Sequence, residues 1–480
     1  MQQYQKFAQY LNQVITQAGL HKNEMIRNLG IDRSSYFQIL KGNRLPTREQ
    51  YQNLKQLLLL PKEENIVLDD LYYRAILGED TWDNIRHVSG FIKVLSESEK
   101  PRPVNAVSPV SFTMQNSRPE IIRFLQGREG VQAGIEEILY AALSEKKLDF
   151  FMPASADIFY DLLRQMIPRV TADCTIRQLT GLPGGRIADR TEAVSVFQGL
   201  LAYLSARTNI HLECRYYYNS VSNISDIGLL YPWYVICGNN VLIISSDFRN
   251  AVFSKDTEFA SAYSAQFELA YGESTPMLKN YGLLEQNLRT IREFLKGKQE
   301  VNYEALPCIA MIATPDKIRK YVIPQAQEEL IAHCEQLQRD ETMIDISSFS
   351  GLRYFLKVRK IPEIPDAYMK EIDLQDLLWY TDILLERLGT TLHMIDETRI
   401  PAAYDWDITI IEDTSVLIHH HNFDTIIIDE KNIVDIFTSF AQHIAETPYI
   451  MDDEKARKEL LDIRSELMMP IITLRLVISI

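Results

Sequence analysis

HKNEMIRNLGIDRSSYFQILKGNRLPT, residues 21–47, is the stretch that decides the fold expected at the start of this 480-residue chain. Met25 and Leu29 put apolar side chains on one face of a first helix, and Gly30 follows where a helix commonly ends in the left-handed conformation. Asp32 or Ser34 can cap a second helix. The apolar side and the end of that second helix are marked by Tyr36, Phe37, Ile39, Leu40, Gly42 and Pro46. Two short helices joined by a tight turn are typical of a helix-turn-helix, whose second helix fits the major groove of DNA.

Residues 7–58 resemble the Cro-type (XRE) repressor family. The resemblance rests on the turn at Gly30-Ile31, on Ser34-Ser35-Tyr36 at the start of the second helix, and on GNRLPT at residues 42–47. It implies that exposed residues near the start of the second helix contact bases. By position these residues are Arg33, Ser34, Ser35 and Gln38. Arg favours guanine and Gln favours adenine, whereas Ser is permissive.

The same resemblance implies a set of phosphate contacts. By position these are Lys22, Lys41, Asn43 and Arg44. The chain departs from the family at residues 22–24, where Lys-Asn-Glu stands in place of a Gln that often reaches phosphate. The alternative interpretation of the stretch is a helical hairpin that binds protein.

The distribution of charge favours DNA. Residues 1–60 hold eight Lys/Arg and three Asp/Glu, a net charge of +5, whereas the whole chain carries −15, which leaves −20 for residues 61–480. An acidic protein with one basic module confines its attraction for phosphate to that module. This asymmetry excludes a long nucleic-acid channel through the body.

Length and composition predict about three domains in a protein of ordinary globular type. The five cysteines are scattered and odd in number, without a CxxC pair, as expected of reduced thiols in the cytoplasm. The sequence predicts no signal peptide and no membrane span. Its last residues, 468–480, are apolar and β-branched around Pro470 and Arg475, and two alternatives stay open for them, a strand paired with the body or an altered terminus.

Changes in composition divide the chain into segments, and the clearest boundary holds four prolines between residues 96 and 119. The predicted division is a helix-turn-helix domain at 1–60, a helical extension at 61–98, a linker at 99–119, a first α/β repeat at 120–282, a connecting helix at 283–298, a second α/β repeat at 299–450 and a tail at 451–480. In the connecting helix, Leu284, Leu288, Ile291 and Leu295 are spaced as in a dimerising helix.

Hydrophobic periodicity predicts the elements of the two halves of the body. In the first half, strands are expected at 148–152, 210–217, 229–237 and 241–245, and helices at 157–167, 190–207 and 257–271. In the second half, strands are expected at 308–313, 391–395, 406–411, 416–419 and 425–428, and helices at 325–336, 373–388 and 432–444. An offset of 174 places residues 242–244 on residues 416–418, which indicates a duplicated domain. Two unrelated α/β segments with similar periods are the alternative.

A duplicated unit in this order resembles the phospholipase D-like fold, whose active members carry HxKxxxxD in each half. Here Pro232 and Tyr234 stand where the first His and Lys would be. In the second half Asp413 matches the motif, but Trp406 and Ile408 occupy the His and Lys positions. The resemblance therefore implies a phospholipase D-like body without catalytic residues. Some archaeal sugar-responsive regulators join a DNA-binding module to such a body and use it as a sensor.

Other groups of residues have both a functional and a structural interpretation. His419, His420 and His421 end a strand and, with Asp424, His211 or His393, could bind a metal or simply be polar residues at a strand end. Ser245-Ser246-Asp247 could line a cleft between the halves or cap a turn. The aromatic residues Tyr216, Tyr217, Tyr218, Tyr231 and Trp233 could line a ligand pocket or pack in the core.

The sequence as a whole predicts a multidomain protein, an all-α helix-turn-helix module followed by a duplicated α/β (phospholipase D-like) body. The predicted function is a cytoplasmic, one-component transcription regulator that binds a double-stranded DNA operator as a homodimer. A small-molecule effector is expected to act on the body, with a cleft at the seam between the halves, and neither catalysis nor a cofactor or metal is predicted. The alternatives are a DNA-targeted enzyme (a nuclease or phosphodiesterase) and a regulator that recruits a protein partner.

Overall fold

The computed structural model describes residues 2–98, 121–153, 156–170, 173–183, 210–219, 231–277, 298, 300–339, 343–361, 364, 366–420 and 426–478. The chain forms two compact units. One contains Met1–His87 with Ser439–Ile450, and the other contains Val88–Thr438 with Met451–Ile480. The predicted linker at 99–119, the helix predicted at 190–207, and the leucines of the predicted connecting helix at 283–298 lie outside the described residues.

The amino-terminal region is helical throughout its described length. Its helices are α1 (Gln2–Gln17), α2 (Lys22–Leu29), α3 (Arg33–Leu40), α4 (Arg48–Leu58), α5 (Lys62–Leu77) and α6 (Glu79–Ser98). Tyr51 of α4 stacks on Tyr72 of α5, with ring centroids 3.7 Å apart. Phe7 of α1 packs against Tyr72 as well, at 5.6 Å. Because α5 supplies part of this core, the first unit extends beyond the 1–60 module predicted from the sequence.

The first half of the body is built on an eight-stranded mixed sheet in the order β1-β7-β6-β5-β2-β3-β4-β8. Its strands are β1 (Ile122–Gln126), β2 (Lys147–Phe151), β3 (Cys174–Pro183), β4 (Ile210–Asn219), β5 (Trp233–Cys237), β6 (Asn240–Ile244), β7 (Asn250–Ser254) and β8 (Thr275–Pro276). Helices α7 (Gly127–Glu145) and α8 (Asp157–Met166) cover one face, where Phe150 and Phe159 share a core. Helix α9 (Thr257–Glu273) covers the other face, where Phe267 packs with Val241.

The second half is built on a six-stranded mixed sheet in the order β11-β10-β9-β12-β13-β14. Its strands are β9 (Glu300–Tyr303), β10 (Ile344–Ser347), β11 (Leu392–Met394), β12 (Trp406–Ile411), β13 (Ser415–His420) and β14 (Ile426–Ile428). Its helices are α10 (Pro315–Tyr321), α11 (Pro324–Arg339), α12 (Phe349–Val358), α13 (Leu374–Arg387) and α14 (Lys431–His443), followed by α15 (Asp453–Ile478). None of the helices in the described ranges combines the length and apolar content that a bilayer crossing requires.

Six strands of each sheet follow the same order with the same directions. In the first half, β2, β3 and β4 run parallel, and β5, β6 and β7 form an antiparallel meander beside β2. In the second half, β9, β10 and β11 run parallel, and β12, β13 and β14 form the meander beside β9. The body therefore contains two sheets with one shared topology.

The strand pairing changes the offset of 174 by one residue for β6 and β13. Leu242 packs in the core beneath the crossover helix α8. Its counterpart on the α11 side is Leu417, which packs with Leu337. The offset is therefore 175 for β6 on β13, because an offset of 174 would assign Leu242 to the opposite face of the sheet. For β7 on β14 the pairing keeps the offset of 174, with Phe253 at the position of Ile427.

One predicted strand is wrong, and one alternative that was open for the tail is not formed. The strand predicted at 308–313 is not formed, since Ile309–Met311 is a turn of 3₁₀ helix, and the strand of this region is β9 instead. The residues of the tail, for which a strand was one alternative, continue helix α15 as far as Ile478. The first part of α15 has apolar residues on one face that pack with the core around α13; these are Ala456, Leu460, Ile463 and Leu467.

Candidate functional sites

The turn between α2 and α3 is fixed by local hydrogen bonds. Gly30 has φ of 63° and ends α2 in the left-handed conformation, with its N–H donating to the carbonyl oxygen of Arg27. Asp32 caps α3 and accepts a hydrogen bond from the backbone N–H of Ser35 at 2.9 Å. The two short helices and the tight turn predicted from residues 21–47 are present in the structure.

Helix α3 is also held from behind by α1. Asn12 of α1 donates a hydrogen bond to the carbonyl oxygen of Leu40 at 2.8 Å. Gly42 has φ of +71°, and a Cβ there would lie 2.9 Å from the Cα of Gln5. Tyr36 and Ile39 are buried on the inner side of α3. The outer side of α3 is therefore presented in a fixed orientation within this unit.

The outer side of α3 carries the residues that the sequence resemblance assigns to DNA. Ser34, Gln38 and Lys41 are exposed at i, i+4 and i+7 spacing and form one stripe, which we call the α3 stripe. Arg33 is exposed at the start of the helix, whereas Ser35 is half-buried. Asn43 and Arg44 are exposed just beyond the helix end, and Lys22 begins α2, its side chain lying outside the described atoms.

Several of these side chains are hydrogen-bonded to one another. Asn43 donates to Oε1 of Gln38 at 2.8 Å. Arg44 donates to Oγ of Ser35 at 3.1 Å, and that hydroxyl donates to Asp32 at 2.6 Å. The hydrogen bonds from Ser35 lower the pKa of Asp32, so this carboxylate stays charged. Base contacts by Ser35 or Gln38 would replace these internal bonds.

Of the four positions assigned to the His and Lys of the phospholipase D motif, Tyr234, Trp406 and Ile408 pack into cores, and Pro232 is half-buried just before β5. Trp406 and Ile408 on β12 are fully buried. Tyr234 on β5 packs against Tyr263, with ring centroids 5.3 Å apart. Burial raises the pKa of the Tyr234 hydroxyl above its usual value of 10. Proline, tryptophan and isoleucine side chains offer no nucleophile, and the raised pKa keeps the Tyr234 hydroxyl protonated at neutral pH.

Other groups singled out in the sequence have mainly structural surroundings. Ser245 accepts a hydrogen bond from the N–H of Asn250 at 2.9 Å and donates to Asp247 at 2.7 Å, so it caps the β6–β7 turn. Tyr216 and Tyr217 belong to the cores on opposite faces of the sheet. His421 and Asp424 lie outside the described residues. Among the described ones, no group of three or more His, Cys, Asp or Glu is placed to hold a metal ion.

The second half of the body contains a cavity of about 240 Å³. It lies between the face formed by β9, β12 and β13 and the layer formed by α10, α11, α12 and α13. The wall is mostly apolar, with Ile309, Ile312, Ile318, Val322, Leu330, Leu337, Phe355, Ile364, Ile372 and Leu377 among its residues. The cavity is thus internal to one half, whereas the cleft expected from the sequence was at the seam between halves.

The floor of the cavity is polar. Glu300, Asn302 and Glu304 alternate along β9 and its extension, and all three line the cavity. On β12, Thr409 lies opposite Asn302, and Asp407 lies opposite His419 of β13. Glu300, Asn302 and Glu304 are only 2%, 8% and 7% exposed. We call Glu300, Asn302, Glu304, Asp407, Thr409 and His419 the polar floor.

The corresponding face in the first half is apolar. There Phe150 of β2 lies opposite Val235, as Asn302 of β9 lies opposite Thr409. The alternate residues on this face of β2 and its extension are Leu148, Phe150 and Met152, all buried in the core beneath α8. This face of the sheet is therefore covered by a packed apolar core in the first half. In the second half the equivalent face is polar and borders the cavity.

Charged groups surround the cavity unevenly. Lys317 lies 3.9 Å from the ring centroid of Trp379 and pairs with Asp376. Burial alone would raise the pKa of Asp376, but hydrogen bonds from Lys317, Lys320 and Tyr321 hold it well below its usual value. Within the described lining, the carboxylates belong to Glu300, Glu304, Asp376 and Asp407, against one lysine, Lys317. The lining therefore holds more acidic than basic side chains, even with His333 and His419 counted among the basic ones.

No protein-family model and no curated protein matches the chain. Among solved structures, TrmBL2, described as an archaeal chromatin protein with a novel mode of DNA binding, is 11% identical, with a TM-score of 0.22 over 48% of this chain and 72% of that chain. Phosphatidylserine synthase of Haemophilus influenzae Rd KW20 is 10% identical, with a TM-score of 0.26 over 75% of this chain and 94% of that one. TM-scores this low carry no argument about fold or function.

Proposed function

We propose that this protein is a cytoplasmic DNA-binding transcription regulator. The observation that supports the proposal best is the α3 stripe, exposed on a helix whose inner side is anchored to α1 and whose start is fixed by the Gly30 turn. A helix presented in this way fits the major groove, where Arg and Gln can read base edges. The positive charge of residues 1–60 supports contact with phosphates in the same place.

We further propose that the two halves of the body arose by duplication and act as a sensor without phosphodiester chemistry. The shared order of six strands in the two sheets supports the duplication. The burial of Trp406 and Ile408 supports the absence of phospholipase D chemistry, since neither side chain can attack phosphorus or transfer a proton. An effector bound to the body would regulate DNA binding only as far as its affinity differs between two arrangements of the protein.

The proposal is tested by substitutions on α3 in the full chain. An operator is first selected from random duplex DNA, and binding is then titrated at several salt concentrations. Arg33→Ala and Gln38→Ala should each weaken specific binding by about 1–3 kcal/mol and relax base preference at one position, because each removes a base-reading side chain. Lys41→Ala should weaken specific and random sequences about equally, with a shallower dependence on salt.

Lys6→Ala provides the matched control, since Lys6 is an exposed cation on α1 rather than on the α3 stripe. It should change affinity less than Lys41→Ala. If the full chain selects no sequence from the random pool, or if Arg33→Ala and Gln38→Ala leave specificity unchanged, the proposed interface is wrong.

A further inference from the structure

The polar floor occupies a place where the fold itself requires no polar residues. The first half shows that Leu148, Phe150 and Met152 can fill the equivalent face and complete a core. Moving carboxylates and an amide into such a site costs free energy that apolar residues would not cost. The polar floor therefore has to be explained by something other than the stability of the fold.

Asn302 gives an independent indication of a ligand. Its side chain is 8% exposed and lines the cavity, and its Oδ1 accepts no hydrogen bond within the described part of the chain. A buried amide oxygen of this kind is normally satisfied by a donor. The cavity beside it is large enough to supply that donor from a bound molecule.

We infer that the cavity binds a small molecule with a protonated amine at one end and an apolar body, the amine lying against Glu300, Asn302 and Glu304. An ammonium group offers three N–H donors and no acceptor, which matches two carboxylates and an amide oxygen. The apolar body matches the wall formed by residues such as Ile318, Leu337 and Phe355.

The size of the cavity limits the ligand. An apolar cavity of about 150 Å³ holds benzene, whereas pockets for drug-sized ligands measure roughly 300–1,000 Å³. A cavity of about 240 Å³ lies between these sizes. It fits one ring or a short alkyl chain together with an amine.

The charge of the lining favours a cation over an anion. In the described lining, four carboxylates face the cavity with one lysine, and Lys317 is itself paired with Asp376. A cationic ligand favours the ionised form of these carboxyl groups and an anionic ligand disfavours it, because opposite charges attract and like charges repel. A neutral alcohol could make one of the hydrogen bonds but would gain no charge attraction.

This inference deepens the proposed function and depends on it for its regulatory meaning, but binding can be measured without DNA. The probes are 2-phenylethylamine, hexylamine and cyclohexylmethylamine, each paired with the alcohol and the carboxylate of the same skeleton. They are titrated calorimetrically into the full chain at neutral pH. At least one amine should bind, with an affinity about tenfold or more above that of its alcohol, and the carboxylate should bind more weakly still.

Substitutions then locate the site. Asn302→Leu and Glu300→Gln should each lower the affinity for the bound amine by about tenfold or more. Glu328→Gln is the matched control, because it removes one negative charge from an exposed position on α11 and should leave the affinity unchanged. Circular dichroism and melting of each variant separate a lost ligand from a lost fold, and Glu300→Gln serves if Asn302→Leu does not fold.

The inference is overturned if no amine binds better than its alcohol and carboxylate partners, or if Glu328→Gln weakens binding as much as Glu300→Gln does. The operator titration described above is run on the same preparation. Operator binding that persists when every amine fails would reject the ligand and leave the DNA-binding proposal standing. Amine binding without operator binding would support the ligand and reject the DNA-binding proposal.

Discussion

Asp345 on β10 lies fully buried, next to the polar floor. Arg387 donates a hydrogen bond to Oδ2 of Asp345 at 2.7 Å. Burial raises the pKa of Asp345 from 3.8 to about 6, although the charge of Arg387 and its hydrogen bond to Asp345 oppose the change. Burial therefore outweighs the partners of this carboxyl group.

The raised pKa predicts how stability depends on pH. Between pH 4 and 6 the folded protein holds a proton on Asp345 that the unfolded chain has already released. The stabilisation from this group is therefore complete below about pH 4 and is lost as the pH rises through about 6. The asparagine of Asp345→Asn does not titrate, so this variant serves as the reference. The unfolding free energy of the wild type minus that of the variant should therefore fall as the pH rises from about 4 to about 6.

Urea unfolding of both proteins at pH 4.5, 5.5, 6.5 and 7.5 gives this difference directly. A difference that stays constant, or that grows with pH, would contradict the burial of Asp345 as an uncharged group. Asp316→Asn provides the control, because Asp316 is 99% exposed at its side chain and the difference should change little.

At the scale of elements, α12 approaches the end of β9 very closely. A Cβ added to Gly351 would lie 2.1 Å from the carbonyl oxygen of Ala305, which also accepts hydrogen bonds from the backbone and hydroxyl of Ser348. Ser348 in turn caps α12 by accepting from the N–H of Gly351 at 2.9 Å. The helix and the strand end are thus fixed to each other at one glycine.

Gly351→Ala should therefore destabilise the protein by about 3 kcal/mol or more, because backbone atoms have to move apart. Gly272→Ala is the control within a helix, since nothing lies within 4 Å of a Cβ there. That substitution should be neutral or stabilise by up to about 1 kcal/mol. Thermal and urea unfolding of both variants measure the contrast, and equal effects would mean that α12 is not packed against Ala305 as described.

The elements also show which parts of the fold could be predicted from the sequence. The α2–α3 turn could be predicted because Gly30 and Asp32 determine it through local backbone geometry. Strand β9 could not, because a strand inside a covered sheet is expected to be apolar, and here Glu300 and Asn302 occupy one face. The nearby apolar run at 308–313 has the periodicity of a strand but forms part of the cavity wall.

The polar residues on β9 also explain why the sequence did not indicate the cavity. Polar residues at every second position of EVNYE, residues 300–304, are the signal that was available. On its own this alternation is typical of a strand with one face in water. Only the placement of α10 and α11 over that face shows that these side chains are buried.

At the scale of the whole molecule, the two halves of the body share one topology but differ in the packing of one face. In the first half the face beneath the crossover helix is a packed core, with Phe150 and Phe159 in contact at 4.8 Å between ring centroids. In the second half the equivalent face borders the cavity. If the halves arose by duplication as proposed, the packed half kept a structural role and the half with the cavity is where the proposed ligand would act.

The proposed regulator should act on DNA as a dimer. One helix-turn-helix contributes few phosphate contacts, and a basic charge of +5 in residues 1–60 is opposed by −20 in the rest of the chain. Specific binding of useful strength is therefore expected only when two copies of α3 read successive major grooves, about 10–10.5 base pairs apart. We expect the selected operator to be a pseudo-palindrome and the full chain to sediment as a dimer.

A spacing series tests this expectation. Inserting about five base pairs between the half-sites rotates one of them to the opposite side of the duplex, and specific affinity should fall toward that of a single half-site, about tenfold or more. Inserting about ten base pairs returns the two half-sites to the same side of the duplex. Part of the lost affinity should then be recovered, provided that the dimer can span the added length. Sedimentation as a monomer at concentrations that saturate the operator, or an affinity that does not depend on spacing, would show that a single copy of the chain recognises its site.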